Sequence, residues 1–270
     1  MSQYKIEAGT AQHIGDRKEQ QDRAALFAAP HAPGYMMAVV ADGMGGKSGG
    51  ALAAEQVIRT AKSLFDEFYP ESDVKTLLET IVNESHTVIK LAGLSAEKEP
   101  HSTFVALVIT PQKEAIWAYV GDSRLYRFSG PNFIERTKDH SYVEKLVDEG
   151  KITADEAKTH KMSNILINVL GSTAADPYIT FGTHQNLKAS DSFILCSDGL
   201  WHYFSDHEIS AAVAANSPRQ ASELLIRKAR ERANLHGDNC TFAIVKLVTP
   251  PPEQKNYVVE KCVGQFSEEN

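Results

Sequence analysis

The sequence is poor in cysteine and has no excess of positive charge. Its three cysteines, Cys196, Cys240 and Cys262, are an odd number and form no CxxC pair. That fits a reducing cytosol better than a disulfide framework. Acidic residues outnumber basic ones, 35 to 28, and the net charge of -7 argues against a nucleic-acid binder, which needs a basic surface. The opening MSQYKIEAGT has no basic stretch followed by an apolar one, so no secretory signal is expected. No apolar run approaches the ~18 residues needed to cross a bilayer, and no internal repeat is visible. The expectation is a cytoplasmic protein with no membrane or nucleic-acid partner.

What is present is an ordinary globular interior. The chain has 270 residues, 42% of them hydrophobic, enough for a sizeable core. Thr249-Pro250-Pro251-Pro252 closes a strand-like run, and consecutive prolines cannot join a ladder. One domain over residues 1–249 and a tail over 250–270 are therefore expected. Strand-like runs rich in Val, Ile, Phe and Tyr occur at Tyr35–Val40, Phe104–Ile109, Ala115–Val120, Leu125–Phe128, Ser192–Leu195 and Thr241–Val248. The second and third are separated by only residues 110–114, which is hairpin spacing. Capping boxes at Ser141/Glu144, Thr153/Glu156, Ser205/Glu208 and Ser217/Gln220 announce helices, the last with Pro218 at the favoured first position. A further helix is expected from about Gly49 to Phe68. Strands outnumber helices and come in local runs, which reads as α+β with antiparallel sheets covered by helices.

Four strand-like runs meet an aspartate beside glycine or in a tight turn. These are Val40-Ala41-Asp42-Gly43, Val120-Gly121-Asp122-Ser123, Cys196-Ser197-Asp198-Gly199 and His236-Gly237-Asp238-Asn239. A single Asp-Gly pair usually marks a turn. Four of them, each against an apolar run, suit a hard cation such as Mg²⁺ or Mn²⁺, which takes carboxylate, carbonyl and water oxygens. Four converging carboxylates repel one another strongly unless cations sit among them.

Two other phosphate chemistries fail on spacing. Gly46-Lys47-Ser48 follows a strand and precedes a helix, as in a P-loop, but the first glycine of that pattern is replaced by Ala41. A cysteine-dependent phosphatase needs an arginine closing the loop after its thiol. Six residues after Cys196 stands His202, and six after Cys240 stands Lys246.

Taken in order, the blocks resemble the metal-dependent protein phosphatases of type 2C in their compact bacterial form. The blocks are the stretch from Val40 to Gly50 (including Asp42-Gly43-Met44-Gly45-Gly46), Gly121-Asp122-Ser123-Arg124, Thr137-Lys138-Asp139-His140-Ser141, Leu195-Cys196-Ser197-Asp198-Gly199 and Gly237-Asp238-Asn239-Cys240-Thr241. They cover roughly residues 6 to 248. The resemblance implies a sandwich of two mostly antiparallel β-sheets flanked by α-helices. It implies hydrolysis of phosphoserine and phosphothreonine with Mn²⁺ or Mg²⁺, two ions in the core site and a third in bacterial relatives. On that reading Asp42 bridges two metals and the Gly43 carbonyl binds one of them. Asp198 and Asp238 hold the other, and Asp122 with Asp198 holds the third. Arg17, in Gly15-Asp16-Arg17-Lys18-Glu19-Gln20-Gln21-Asp22, matches the arginine that grips the substrate phosphate, and Asp22 matches the residue that orients metal-bound water. The implied partners are phosphorylated proteins made by a cognate serine/threonine kinase, and the implied state is a monomer.

The sequence departs from the family pattern in three places. Gln20 and Gln21 precede Asp22 where Asn is usual, which implies a shifted water network. Met44 stands where eukaryotic relatives have a proton-donating histidine, so the leaving group must be protonated by metal-bound water or another residue. His101-Ser102-Thr103 replaces a Gly-Thr-Thr block, read as a packing change. The segment from His140 to Gly171 corresponds to the flap beside the active site. It carries Asp155-Glu156-Ala157, Asn164 and His160, the last read as polar surface. Two rival functions remain, a catalytically dead phosphoprotein-binding module and a small-molecule phosphomonoesterase. Loss of an aspartate at 42, 198 or 238 would favour the first, and none is lost.

Overall fold

A computed structural model describes residues 4–45, 49–94 and 99–250. Apart from Pro250, the expected tail lies outside the described residues, as do Gly46, Lys47 and Ser48. The chain runs β1 (Lys5–His13), β2 (Asp22–Ala28), β3 (Met36–Met44), α1 (Gly49–Asp66), α2 (Val74–Gly93), β4 (His101–Ser102), β5 (Phe104–Ile109), β6 (Glu114–Val120) and β7 (Arg124–Ser129). It continues β8 (Asn132–Arg136), α3 (Tyr142–Asp148), α4 (Ala154–Lys158), β9 (Thr180–Gln185), β10 (Asp191–Cys196), α5 (Asp198–Trp201), α6 (Asp206–Ala215), α7 (Pro218–Ala233) and β11 (Cys240–Val248).

The strands form two sheets, ordered β1-β11-β10-β7-β8 and β2-β3-β5-β6-β9, with β4 pairing the end of β3. Every named pairing among the described residues is antiparallel. The inner strands are buried on both faces because helices cover the outside and the other sheet covers the inside. In β3, Met37, Val39 and Ala41 pack toward α1 and α2, while Ala38 and Val40 face the opposite sheet. In β10, Phe193 and Leu195 face inward, and Ile194 and Cys196 face α6 and α7. The result is four layers, helix on sheet on sheet on helix, with a core in each of the three gaps. Here the expected α+β sandwich of antiparallel sheets and the observed fold agree.

Helix ends follow local chemistry. Thr153, Ser205 and Ser217 form reciprocal capping boxes with Glu156, Glu208 and Gln220. At Ser141 only half of the expected box forms. Its hydroxyl accepts from Glu144 N, but the Glu144 carboxylate turns to within 4.0 Å of Lys138 Nζ. The first helix ends at Asp66, two residues short of its expected end, and α2 begins at the cap Asp73, whose carboxylate accepts from Thr76 N. Among the described residues no helix is long and apolar enough to cross a membrane.

Candidate metal and phosphate site

Antiparallel pairing brings strand starts and strand ends to the same rim of the sandwich. His13 pairs with Cys240, Asp22 with Asp42, and Arg124 with Cys196, so the ends of β1, β3 and β10 meet the beginnings of β2, β7 and β11. This rim carries Asp22, Asp42, Asp122, Asp198 and Asp238. The carboxyl of Asp42 lies within electrostatic reach of all four others. Asp22 is buried, while the other four are half-buried at the rim.

Charge crowding dominates this rim. Burial pushes the Asp42 carboxyl well above the usual carboxylate range, and Asp22, Asp198, Asp122 and Asp238 push it further. Asp122 is raised by burial and then by Asp198 and Asp139, against the opposing charge of Arg124. Asp198 is raised by burial, with His202 opposing and Asp238 adding to the shift. Burial lifts Asp22 to about 7 despite a 2.7 Å hydrogen bond from the Ser197 hydroxyl and further bonds to Thr241 and Asp42. Among the described residues no three of these side chains already close around one point as a metal cage. The donor set is nonetheless what Mg²⁺ or Mn²⁺ requires, hard carboxylate oxygens whose mutual repulsion a cation offsets.

The Asp42 loop is fixed through its backbone. Thr103 Oγ1 accepts from Asp42 N at 2.9 Å and Thr103 N donates to Asp42 O at 2.9 Å, while the Ser102 hydroxyl lies 3.2 Å from the same carbonyl. The His101-Ser102-Thr103 block is thus more than a packing change, because it clamps the first aspartate. Gly43 packs against the first turn of α1, where a Cβ would stand 1.9 Å from the Gly50 carbonyl oxygen. Only glycine permits that approach.

Arg17 projects from the β1–β2 link and is 61% exposed, with Nη2 2.5 Å from Asp238 Oδ2. That hydrogen bond raises the guanidinium pKa further, despite partial burial. The link itself is held by Asn239. Its Oδ1 accepts from Gln21 N at 2.7 Å, and its Nδ2 donates to Ile14 O at 2.8 Å and Glu19 O at 3.0 Å. Gln20 Nε2 donates to Thr241 Oγ1 at 3.0 Å, so the longer amide is spent on the neighbouring strand. Gly15, at φ +67°, lies so close that a Cβ would stand 2.1 Å from the Asp238 carbonyl oxygen.

Several supports were not assigned roles from sequence. Arg124 binds Asp139 with two parallel bonds, 2.8 and 2.7 Å, and its guanidinium stacks 3.6 Å over the Trp201 ring. Trp201 Nε1 donates to Asp122 O at 3.1 Å. His140 accepts from Gly121 N at Nδ1 and reaches Thr180 Oγ1 with Nε2, and burial pulls its pKa down to about 4. It is a neutral brace of the Asp122 turn. His160 accepts from Met162 N within its own turn, and Met44 pairs with His101 across β3 and β4. Cys196 is fully buried and Cys240 nearly so, and burial drives both thiols upward, Cys240 to about 12, away from thiolate chemistry.

Residues 9–227 match the family described as protein phosphatase 2C. Among curated proteins, PhpP, a protein phosphatase of Streptococcus pneumoniae, is 30% identical over 222 residues, covering 79% of this chain and 87% of that protein. The serine/threonine protein phosphatase PstP of Mycobacterium tuberculosis is 29% identical over 220 residues, covering 80% of this chain. That match spans 41% of PstP's own length. Among solved structures, a serine/threonine phosphatase of S. agalactiae superposes with a TM-score of 0.81 at 28% identity, covering 90% of this chain and 99% of that one. The catalytic domain of PstP in complex with two manganese ions superposes with a TM-score of 0.75 at 26% identity, covering 90% and 98%. The chain belongs to the protein phosphatase 2C family.

Proposed function

We propose that the chain is a metal-dependent serine/threonine protein phosphatase that hydrolyses phosphate monoesters with an activated water. The observation that carries this reading is the meeting of Asp22, Asp42, Asp122, Asp198 and Asp238 at one rim with Arg17 beside them. Asp42, Asp198 and Asp238, with the Gly43 carbonyl, would hold two Mn²⁺ or Mg²⁺ ions, and Asp122 with Asp198 a third. When bound, such ions lower the pKa of a water from ~15.7 towards neutrality and offset charge on the transferring phosphoryl group.

The chain's own groups do the rest. Asp22 is anchored by Ser197 and orients the attacking water. Arg17 offers two parallel donors to phosphate oxygens, a geometry an ammonium lacks. Its present partner is Asp238. Were Asp238 to hold a cation, Arg17 would lose this partner's charge and its guanidinium would be available for substrate oxygens. Met44 has no proton to give the leaving alkoxide, so that proton comes from water or another group. Phosphoproteins made by a serine/threonine kinase are the proposed substrates, within a cytosol that the free, buried Cys196 and Cys240 suit. One copy of the chain carries every group named, in one domain over residues 1–249 in which β1 pairs with β11.

Hydrolysis of p-nitrophenyl phosphate and phosphothreonine peptides is expected to require added Mn²⁺ or Mg²⁺ and to stop in EDTA. Full turnover in rigorously metal-free buffer would sink the proposal. Arg17→Ala is expected to lower kcat/KM by roughly 10- to 150-fold, the loss of a hydrogen bond to a charged group. Its Mn²⁺ affinity by calorimetry should be unchanged or tighter, because Asp238 is released. Weakened Mn²⁺ binding, or an unchanged kcat/KM, refutes the role given to Arg17.

A further inference from the structure

We propose that the groove between β1 and α7 is a docking site for an extended acidic segment of the phosphoprotein substrate, added along the open edge of β1. The inference rests on the phosphatase reading for the word substrate, though the binding surface stands on its own geometry. β1 pairs with β11 along its whole length, from Lys5 with Val248 to His13 with Cys240, and among the described residues no strand covers its other side. From Ala8 to Gln12 that edge holds neither charge nor proline. Folded proteins normally blunt such an edge or use it to take a partner strand.

The groove beside it has a volume of about 650 Å³. Ala11 and Ile226 give it an apolar floor, and Gly9 leaves room where a Cβ would stand 3.6 Å from Pro218 Cβ. Arg219, Arg227 and Arg230 line its α7 wall against a single Glu223, a positive strip on a chain of net charge -7. Arg219 pairs with Glu223 at 3.0 Å in an exposed i,i+4 pair, which exchanges readily for a new carboxylate. Arg227 is exposed and, among the described residues, makes no ion pair or hydrogen bond. A strand added to β1 directs alternate side chains to each face of the sheet. Carboxylates at every second position would meet this wall, which is the charge complementarity that selects an acidic occupant.

The groove also points at the catalytic rim. Arg230 donates to the Gly15 carbonyl at 3.0 Å and lies 3.5 Å from Asp16, next to Arg17. His13 and Arg17 are four residues apart and joined by a turn at Gly15, where Arg17 N donates to Ile14 O, so they lie closer than the ~13 Å that four extended residues would span. A segment lying on β1 therefore delivers a phosphorylated residue just beyond its end to the arginine that receives it.

The test uses the full chain with Mn²⁺ and two phosphothreonine peptides, one with an alternating glutamate tract and one with alanines in its place. The acidic peptide is expected to show a KM about tenfold lower. The double variant Arg219→Glu/Arg227→Glu is expected to erase that advantage while p-nitrophenyl phosphate hydrolysis stays at the parent rate. Hydrogen exchange in residues 5–13 should slow with an unphosphorylated acidic peptide in the parent and not in the variant. Equal KM values, or an advantage that survives the double variant, overturns the proposal. Protection that instead grows with protein concentration alone assigns the edge to a second copy. Protection lost on deleting residues 251–270 assigns it to the chain's own end. Either result overturns the proposal as well. Failure to hydrolyse p-nitrophenyl phosphate would sink the phosphatase reading only, since exchange with the unphosphorylated peptide decides docking by itself.

Discussion

Asp42→Asn is expected to cut kcat on phosphothreonine peptides by about 1000-fold or more, while leaving the metal-free chain as stable as the parent or more so. The two halves of this result have one cause. Asp42 sits where Asp22, Asp198, Asp122 and Asp238 all act on it, and burial and their repulsion hold its carboxyl above the usual range. An amide in its place removes a repelling charge and with it the ligand proposed to bridge two ions. The pH dependence of stability follows the same sign. A carboxyl whose pKa is raised by folding keeps protons that the unfolded chain has lost, so stability falls as pH rises between the two values. For Asp22 that window runs from 3.8 to about 7. The metal-free parent should therefore melt lower at pH 7 than at pH 5 as far as these groups decide it. Mn²⁺ should reverse this. At 100 times its dissociation constant one ion adds about 2.7 kcal/mol, or roughly 5–10 °C in Tm for a chain of this size. Scanning fluorimetry with and without Mn²⁺ checks it. An Asp42→Asn variant that kept the full metal-induced rise would remove Asp42 from the site.

What was legible in the sequence divides along the sheets. The six runs singled out as strands correspond to β3, β5, β6, β7, β10 and β11, each inside its sheet and mostly buried on both faces. Double burial demands nearly continuous apolar sequence, and that signal is strong. The longer strands not singled out, β1, β2, β8 and β9, are the four sheet edges. Their half-exposed faces tolerate Gly, Thr, Gln and Arg, which dilutes the pattern. The helix α2 has Leu77, Leu78, Ile81, Val82 and Ile89 at helical spacing and was readable in principle.

The same contrast holds at the site. Carboxylates beside glycine at strand ends stand out, because few other functions place them there. Their supports do not, because a hydroxyl or amide that holds a backbone looks like any other polar residue until register is known. Asn239 serves three groups between Ile14 and Gln21, more than 200 residues away in sequence. Ser102 and Thr103 were read as packing and prove to grip the backbone of Asp42. Only the pairing of β3 with β4, which sets Gly43 opposite Ser102, makes that contact legible.

Arg124→Leu is expected to destabilise the chain by about 3–5 kcal/mol, the cost of leaving one member of a buried ion pair uncompensated. Arg124 and Asp139 are 12% and 8% exposed, so water cannot replace the lost partner. At roughly 2–4 °C per kcal/mol for a domain of this size, Tm should fall by about 6–20 °C. The double variant Arg124→Leu/Asp139→Leu should recover much of that loss, since it leaves no orphaned charge. The consequence for the site is indirect. Arg124 stacks on Trp201, and Trp201 holds the Asp122 carbonyl, so the Asp122 turn loses one of its walls. His140 still braces the same turn through the Gly121 backbone. Turnover at saturating Mn²⁺ should therefore fall far less than in Asp42→Asn, with the deficit appearing as a higher Mn²⁺ requirement. Thermal melts of both single variants and the double variant, with Mn²⁺ titrations of activity, separate the two effects. If Arg124→Leu melted within 2 °C of the parent, the ion pair would carry none of the stability assigned to it here, given the ~3 kcal/mol minimum expected.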